Sequence, residues 1–116
     1  MRTLRLLNLH CSKTDNIDTN NNSKVTETIL TVDNGKFQGF GPESMINGSD
    51  WNVNADIQFN EQAIISFYDD DLILHLSKNI KYVRTHIVEE NEVIEGQKKV
   101  NFTSDNANYV LTYEIK

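Results

Sequence analysis

At 116 residues and 13.3 kDa, with 38% hydrophobic and 24% charged residues, the chain is one domain (1–116), long enough to bury a core without disulfides or metals. Seventeen acids against eleven bases leave a net charge of -6, which argues against the clustered basic face that a nucleic-acid partner requires. Cys11 is the only cysteine, so an intrachain disulfide and a cysteine-rich zinc site are both excluded.

Helical periodicity is nearly absent and period-two alternation recurs throughout. Leu4 and Leu6, then Leu7, Leu9 and Cys11, predict an opening strand whose inward face switches midway, as at a bulge. Arg5, Asn8 and His10 interrupt its apolar run, so it does not read as a signal peptide, and no stretch approaches a membrane-spanning length. Neither feature fixes a compartment. Ser12 to Ser23 is polar except for Ile17 and reads as a long exposed loop.

Val25 to Val32 is a β-branched strand, with Thr26, Thr28, Leu30 and Val32 on one face. Asp33-Asn34-Gly35-Lys36 is a hairpin signal, because Asn and Gly both tolerate positive φ. A short strand over Phe37 to Phe40 follows, and then a loop from Gly41 to Asp50. Trp51, Val53, Ala55, Ile57 and Phe59 alternate with polar residues in the cleanest half-buried pattern of the chain. That phase makes Trp51 a core residue, although an exposed indole would also serve glycan recognition.

Ala63 to Tyr68 is the next strand, interrupted by Asp69-Asp70-Asp71 before Leu72 to Leu76. Ile80 to Val88 alternates again, Glu89 to Glu92 is a solvated turn, Gln97 to Phe102 resumes, and Tyr109 to Ile115 closes the chain. Eight or nine short strands with turn signals about every 8–12 residues predict an all-β, antiparallel β-sandwich of about eight strands.

Enzymatic signatures are missing from the sequence. His10 and Cys11 are neighbours on a strand and point to opposite faces, so they cannot pair as base and nucleophile. His75 and His86 lack metal-ligand spacing, and no nucleophile elbow, zinc helix, phosphate loop or dinucleotide glycine pattern occurs. No catalytic residue is expected. Three Asn-x-Ser/Thr sequons, at Asn21, Asn47 and Asn101, are the matches that an asparagine-rich chain produces by chance.

The acids say more. Asp15 and Asp18 follow the first strand, and Asp69 and Asp71 alternate around Asp70 after an apolar one. Calcium takes six to eight oxygen ligands, commonly from loop carboxylates. Three adjacent acids also simply solubilise a strand end and blunt edge pairing, the blander reading.

Leu9-x-Cys11 with its polar Asp-containing loop, Thr26 to Val32 ending in a lysine-bearing turn, Ile65-Ser66-Phe67-Tyr68-Asp69-Asp70-Asp71 and the closing Asp105 to Ile115 together resemble a known family. It is the bacterial branch of the calcium- and phospholipid-binding, C2-type sandwich. The resemblance spans most of the chain and implies an eight-stranded sandwich. It also implies that the first loop and the loop after Tyr68 lie at one end, where Asp15 and Asp18 face Asp69 and Asp71 across a calcium ion. Two departures weaken that site. Thr26 stands where such domains often carry an acid, and Leu72 to Leu76 lacks the further Asp and turn that complete the ligand set. Loss of one or two carboxylates moves affinity toward the millimolar range or abolishes it.

The function expected is a non-catalytic binding or adaptor module that uses the loops at the acidic end, assisted by calcium. The alternatives are a structural subunit assembling through sandwich faces or edges, and a glycan- or protein-recognition domain. The expected partner is another protein, with homo-oligomers as a further option. The charge of -6 opposes anionic membranes unless calcium bridges the two. Because the chain starts at Met1 and carries little beyond the domain, a separate partner is expected, not a fused one.

Overall fold

The computed structural model describes residues 2–13, 26–71, 80–92, 96–104 and 107–116. Eight strands appear in order: β1 (Arg2–Lys13), β2 (Thr26–Asp33), β3 (Phe37–Met45), β4 (Asp50–Phe59), β5 (Gln62–Asp71), β6 (Ile80–Glu89), β7 (Lys98–Ser104) and β8 (Ala107–Ile115). They form two four-stranded sheets, ordered β4-β1-β8-β7 and β3-β2-β5-β6, with every pairing antiparallel.

Alternation decides which residues meet between the sheets. Leu4, Leu6, Leu9 and Cys11 from β1 are buried with Tyr109, Leu111, Tyr113 and Ile115 from β8. Opposite them lie Leu30 and Val32 of β2, Ala63, Ile65 and Phe67 of β5, and Val88 of β6. Phe67 stacks on Phe102 of β7 at 5.4 Å and 18°, and tilts against Tyr109 at 4.5 Å, so three rings tie the sheets together.

The face switch expected in β1 is present and spreads over three strands. Between two shared rungs, β8 advances two residues (Tyr113 to Leu111), β1 three (Leu6 to Leu9) and β4 four (Ala55 to Trp51). Leu7 is the extra residue of β1 and is half-buried, so Leu9 and Cys11 face the core while Leu7 does not join them. On β4 the surplus includes Asn54, whose φ of 49° is left-handed, a conformation Asn adopts more readily than a branched residue.

Three sequence expectations change here. The segment from Gly41 onward is not a loop: β3 continues to Met45 through a register shift opposite Thr28 and Leu30. Pro42 is tolerated because β3 is an edge strand and need not donate on its outer side. At Gly41 the chain passes so close that a Cβ would lie 2.7 Å from the Thr28 carbonyl oxygen and 3.1 Å from the Trp51 ring. Trp51, expected in the core, is half-buried and packs against it, since β4 is also an edge strand. The acid triplet belongs to β5 and forms its end, while Leu72 to Leu76, expected to continue as strand beyond it, lies outside the described residues.

Replacing Asn54 tests the bulge. Asn54→Val should lower stability by about 1–2 kcal/mol, the cost of forcing a branched residue into left-handed backbone, while Asn54→Gly should stay within about 0.5 kcal/mol of wild type. Urea denaturation distinguishes the two. Trp51→Ala should cost about 2 kcal/mol, less than the ~3–5 kcal/mol of a fully buried large aromatic, because the indole is only partly buried.

Candidate functional site

The antiparallel order collects one set of chain reversals at each end of the sandwich. β1, β3, β5 and β7 finish where β2, β4, β6 and β8 begin, as the pairs Lys13↔Asn108, Thr26↔Asp71, Thr26↔Met45 and Asp70↔Ile80 show. The end of β1, the start of β2 and the end of β5 therefore lie at one pole. Asp15 and Asp18 themselves lie outside the described residues. For Asp69 and Asp71 the backbone place is described: they stand across the ladder from Thr28 and Thr26. Among the described residues, no group of three or more His, Cys, Asp or Glu is placed to hold a metal ion.

Thr28 is fully buried beside this pole, and its hydroxyl donates to the Glu43 carbonyl oxygen at 2.9 Å across the β2–β3 register shift. Glu27, next along β2, accepts from the Ser44 hydroxyl at 2.6 Å. Asn108, near the start of β8, has a buried side-chain oxygen with no hydrogen-bond partner.

The outer face of the β4-β1-β8-β7 sheet is polar and internally paired. Arg5 binds Asp56 through two nitrogens, Nε to Oδ1 at 2.7 Å and Nη2 to Oδ2 at 3.1 Å, and reaches Glu114 at 3.5 Å. This bidentate contact lowers the Asp56 pKa and raises that of Arg5. Asn8 donates to Asn52 at 3.0 Å, and His10 meets Asp50 at 2.8 Å. A shallow open depression of ≈ 450 Å³ lies over the bulge, lined by Arg5, Leu7, Asn54 and Asp56. Its cation and anion already satisfy each other, and its lining contains neither a nucleophile nor a free base.

One pairing escaped the sequence reading. His86 Nε2 lies 3.0 Å from the Tyr113 hydroxyl, joining β6 to β8 across the sandwich. Both residues fall in segments whose alternation the sequence shows, but no spacing rule joins residues on strands of different sheets. Burial lowers the His86 pKa and pushes Tyr113 up to about 12. Glu92 raises and Lys98 lowers the His86 value by smaller amounts.

The sign of the resulting pH dependence follows. The unfolded chain binds a proton at the ordinary histidine value of 6.5, whereas the folded chain binds it only at lower pH. His86 therefore contributes its full stability above 6.5 and loses it as pH falls from there toward the depressed value. Denaturation midpoints should decline between pH 7.5 and 5.5 in wild type, and His86→Gln should flatten that decline. An equally steep decline in the variant would assign it to other groups.

No protein-family model matches the chain, and neither does any curated protein. Solved structures do. Human GIVD cytosolic phospholipase A2, in complex with methyl gamma-linolenyl fluorophosphonate and terbium chloride, superposes with a TM-score of 0.51 at 15% identity, over 98% of this chain. The chain spans 17% of that phospholipase chain. A structure described as a C2 domain superposes with a TM-score of 0.50 at 10% identity, over 100% of this chain and 99% of its own. At such identities the likeness is one of fold. The chain has the fold of a C2-like β-sandwich.

Proposed function

We propose that the chain is a non-catalytic binding or adaptor module that engages another protein through the loops at its acidic pole, with calcium as a weak aid. The observation that carries this reading is the convergence of chain ends. The ends of β1 and β5 and the starts of β2 and β6 share one pole; Asp69 and Asp71 end β5 there, and Asp15 and Asp18 fall in the sequence that links β1 to β2. Carboxylates are the oxygen donors that calcium prefers, and Asp69 and Asp71 with Asp15 or Asp18 would hold it. Thr26, where an acid would add a donor, leaves the set short and the affinity low. A non-catalytic role is supported by the likeness of fold to a C2 domain.

Calcium titration followed by thermal melting tests this directly. A ligand that binds only the folded state stabilises it by RT ln(1 + [L]/Kd), so a millimolar site adds about 1.4 kcal/mol at roughly tenfold excess. For a domain of this size that is a rise of about 4–8 °C, seen only at several millimolar calcium and above. Asp69→Asn combined with Asp71→Asn should abolish the rise and leave the calcium-free melting temperature equal or higher, because crowded carboxylates repel. No rise in wild type at ~10 mM calcium, or an undiminished rise in the double variant, would remove calcium from the proposal.

A further inference from the structure

The outer face of the β3-β2-β5-β6 sheet differs in kind from that of its partner sheet. Register aligns Phe37, Asp33, Ile64 and Ile87 in one row across all four strands. Their chain neighbours Val32, Ala63, Ile65 and Val88 are buried between the sheets, so this row points outward. Phe37 is 67% exposed and Ile87 47%. A second row, Gly39, Thr31, Ser66 and Thr85, carries only small side chains. Nothing lies within 4 Å of where a Gly39 Cβ would be, and the Ser66 and Thr85 hydroxyls bond each other at 3.0 Å. Beyond it, Ile29 faces Tyr68.

The row of Phe37, Ile64 and Ile87 on one side and the Ile29–Tyr68 pair on the other thus flank a row of small residues. With about 3.4 Å per residue the walls stand roughly 14 Å apart, and four strands at about 4.8 Å give the trough a similar length. That is enough for the ridge of one helix face, or for a few residues of extended chain.

Charge selects the occupant. Asp33 sits inside the apolar row between Phe37 and Ile64. Its carboxylate accepts the Gly35 amide at 2.9 Å, and no ion pair among the described residues includes it. Glu27 lies farther along the same face of β2, and Glu61 and Lys36 occupy the turns at the near pole. Arg84 on β6 is engaged by the Thr103 carbonyl oxygen at 2.9 Å. A second copy would bring another net charge of -6 and a second Asp33 against the first, and an anionic membrane would be repelled likewise.

We propose that this face docks a basic, amphipathic segment of a separate protein. A Lys or Arg of the segment lays its stem along Phe37 with its charge on Asp33, and neighbouring apolar side chains cover Ile64 and Ile87. This surface is distinct from the acidic pole and does not depend on calcium.

The probe is a leucine/lysine amphipathic peptide of roughly 14 residues, about four helical turns, titrated into the isotope-labelled 116-residue chain at physiological salt. Amide shifts should cluster on residues 29–39, 64–68 and 85–87. Asp33→Asn, which keeps the oxygen that caps the turn, and Phe37→Ser, at an exposed position, should each weaken binding about tenfold, or about 1.4 kcal/mol. Asp50→Asn removes the same charge from the opposite sheet and should leave affinity within about twofold. Equal weakening by Asp33→Asn and Asp50→Asn would reduce the effect to non-specific charge attraction and overturn the proposal. A dimer in sedimentation velocity that Phe37→Ser dissolves would overturn it in favour of a second copy. Phe37-dependent binding to phosphatidylserine vesicles without calcium would overturn it in favour of a lipid surface.

Discussion

Three aromatic rings hold the two sheets in their relative position. Phe67 comes from the β3-β2-β5-β6 sheet and lands on Phe102 and Tyr109 of the other, with centroid distances of 5.4 and 4.5 Å. Each such pair contributes about 0.5–1.5 kcal/mol beyond the apolar area it buries. The location matters as much as the energy. Phe67 is the last fully buried residue before the acid triplet, so the contact fixes where β5 leaves the core and hence where the backbone of Asp69 and Asp71 begins.

The two sheets spend their outward positions differently. On β4-β1-β8-β7 those positions hold Arg5, Asn8, His10, Asn52, Asp50 and Asp56, which bond to one another and leave little affinity for a visitor. On β3-β2-β5-β6 they hold Phe37, Ile64, Ile87 and a carboxylate without an ionic partner among the described residues. A sandwich needs only its inner faces to be apolar. The outer apolar row is therefore surplus to folding, and large exposed apolar positions grouped in this way mark contact surfaces.

The sequence made the strands legible because alternation and the Asn34-Gly35 turn are local signals, written within a few residues of where they act. The β1 bulge was legible for the same reason: Leu6 and Leu9 stand three apart where two would keep the phase. Edge position was not, since it depends on which strands pair. Trp51 has the phase of a core residue, but β4 has a neighbour on one side only, and the indole stays partly exposed. Gly41-Pro42 reads as a turn by composition, yet an edge strand absorbs both residues in a register shift. Of the expected calcium ligands, the backbone of Asp69 and Asp71 closes β5, while Asp15 and Asp18 lie outside the described residues. The His86–Tyr113 contact joins strands of different sheets, a relation that period-two patterns do not encode.

The first strand occupies the middle of its sheet, between β4 and the last strand, β8. Thr3 and Lys116 close that seam with reciprocal backbone hydrogen bonds of 3.1 and 2.8 Å. During synthesis the leucines of β1 leave the ribosome about a hundred residues before their β8 partners, and only β4 is available to them meanwhile. The sheet cannot close until translation has delivered β8, so its closure is a late step of folding. In the interval an apolar strand with one open edge is the kind of surface that chaperones hold and that aggregation exploits.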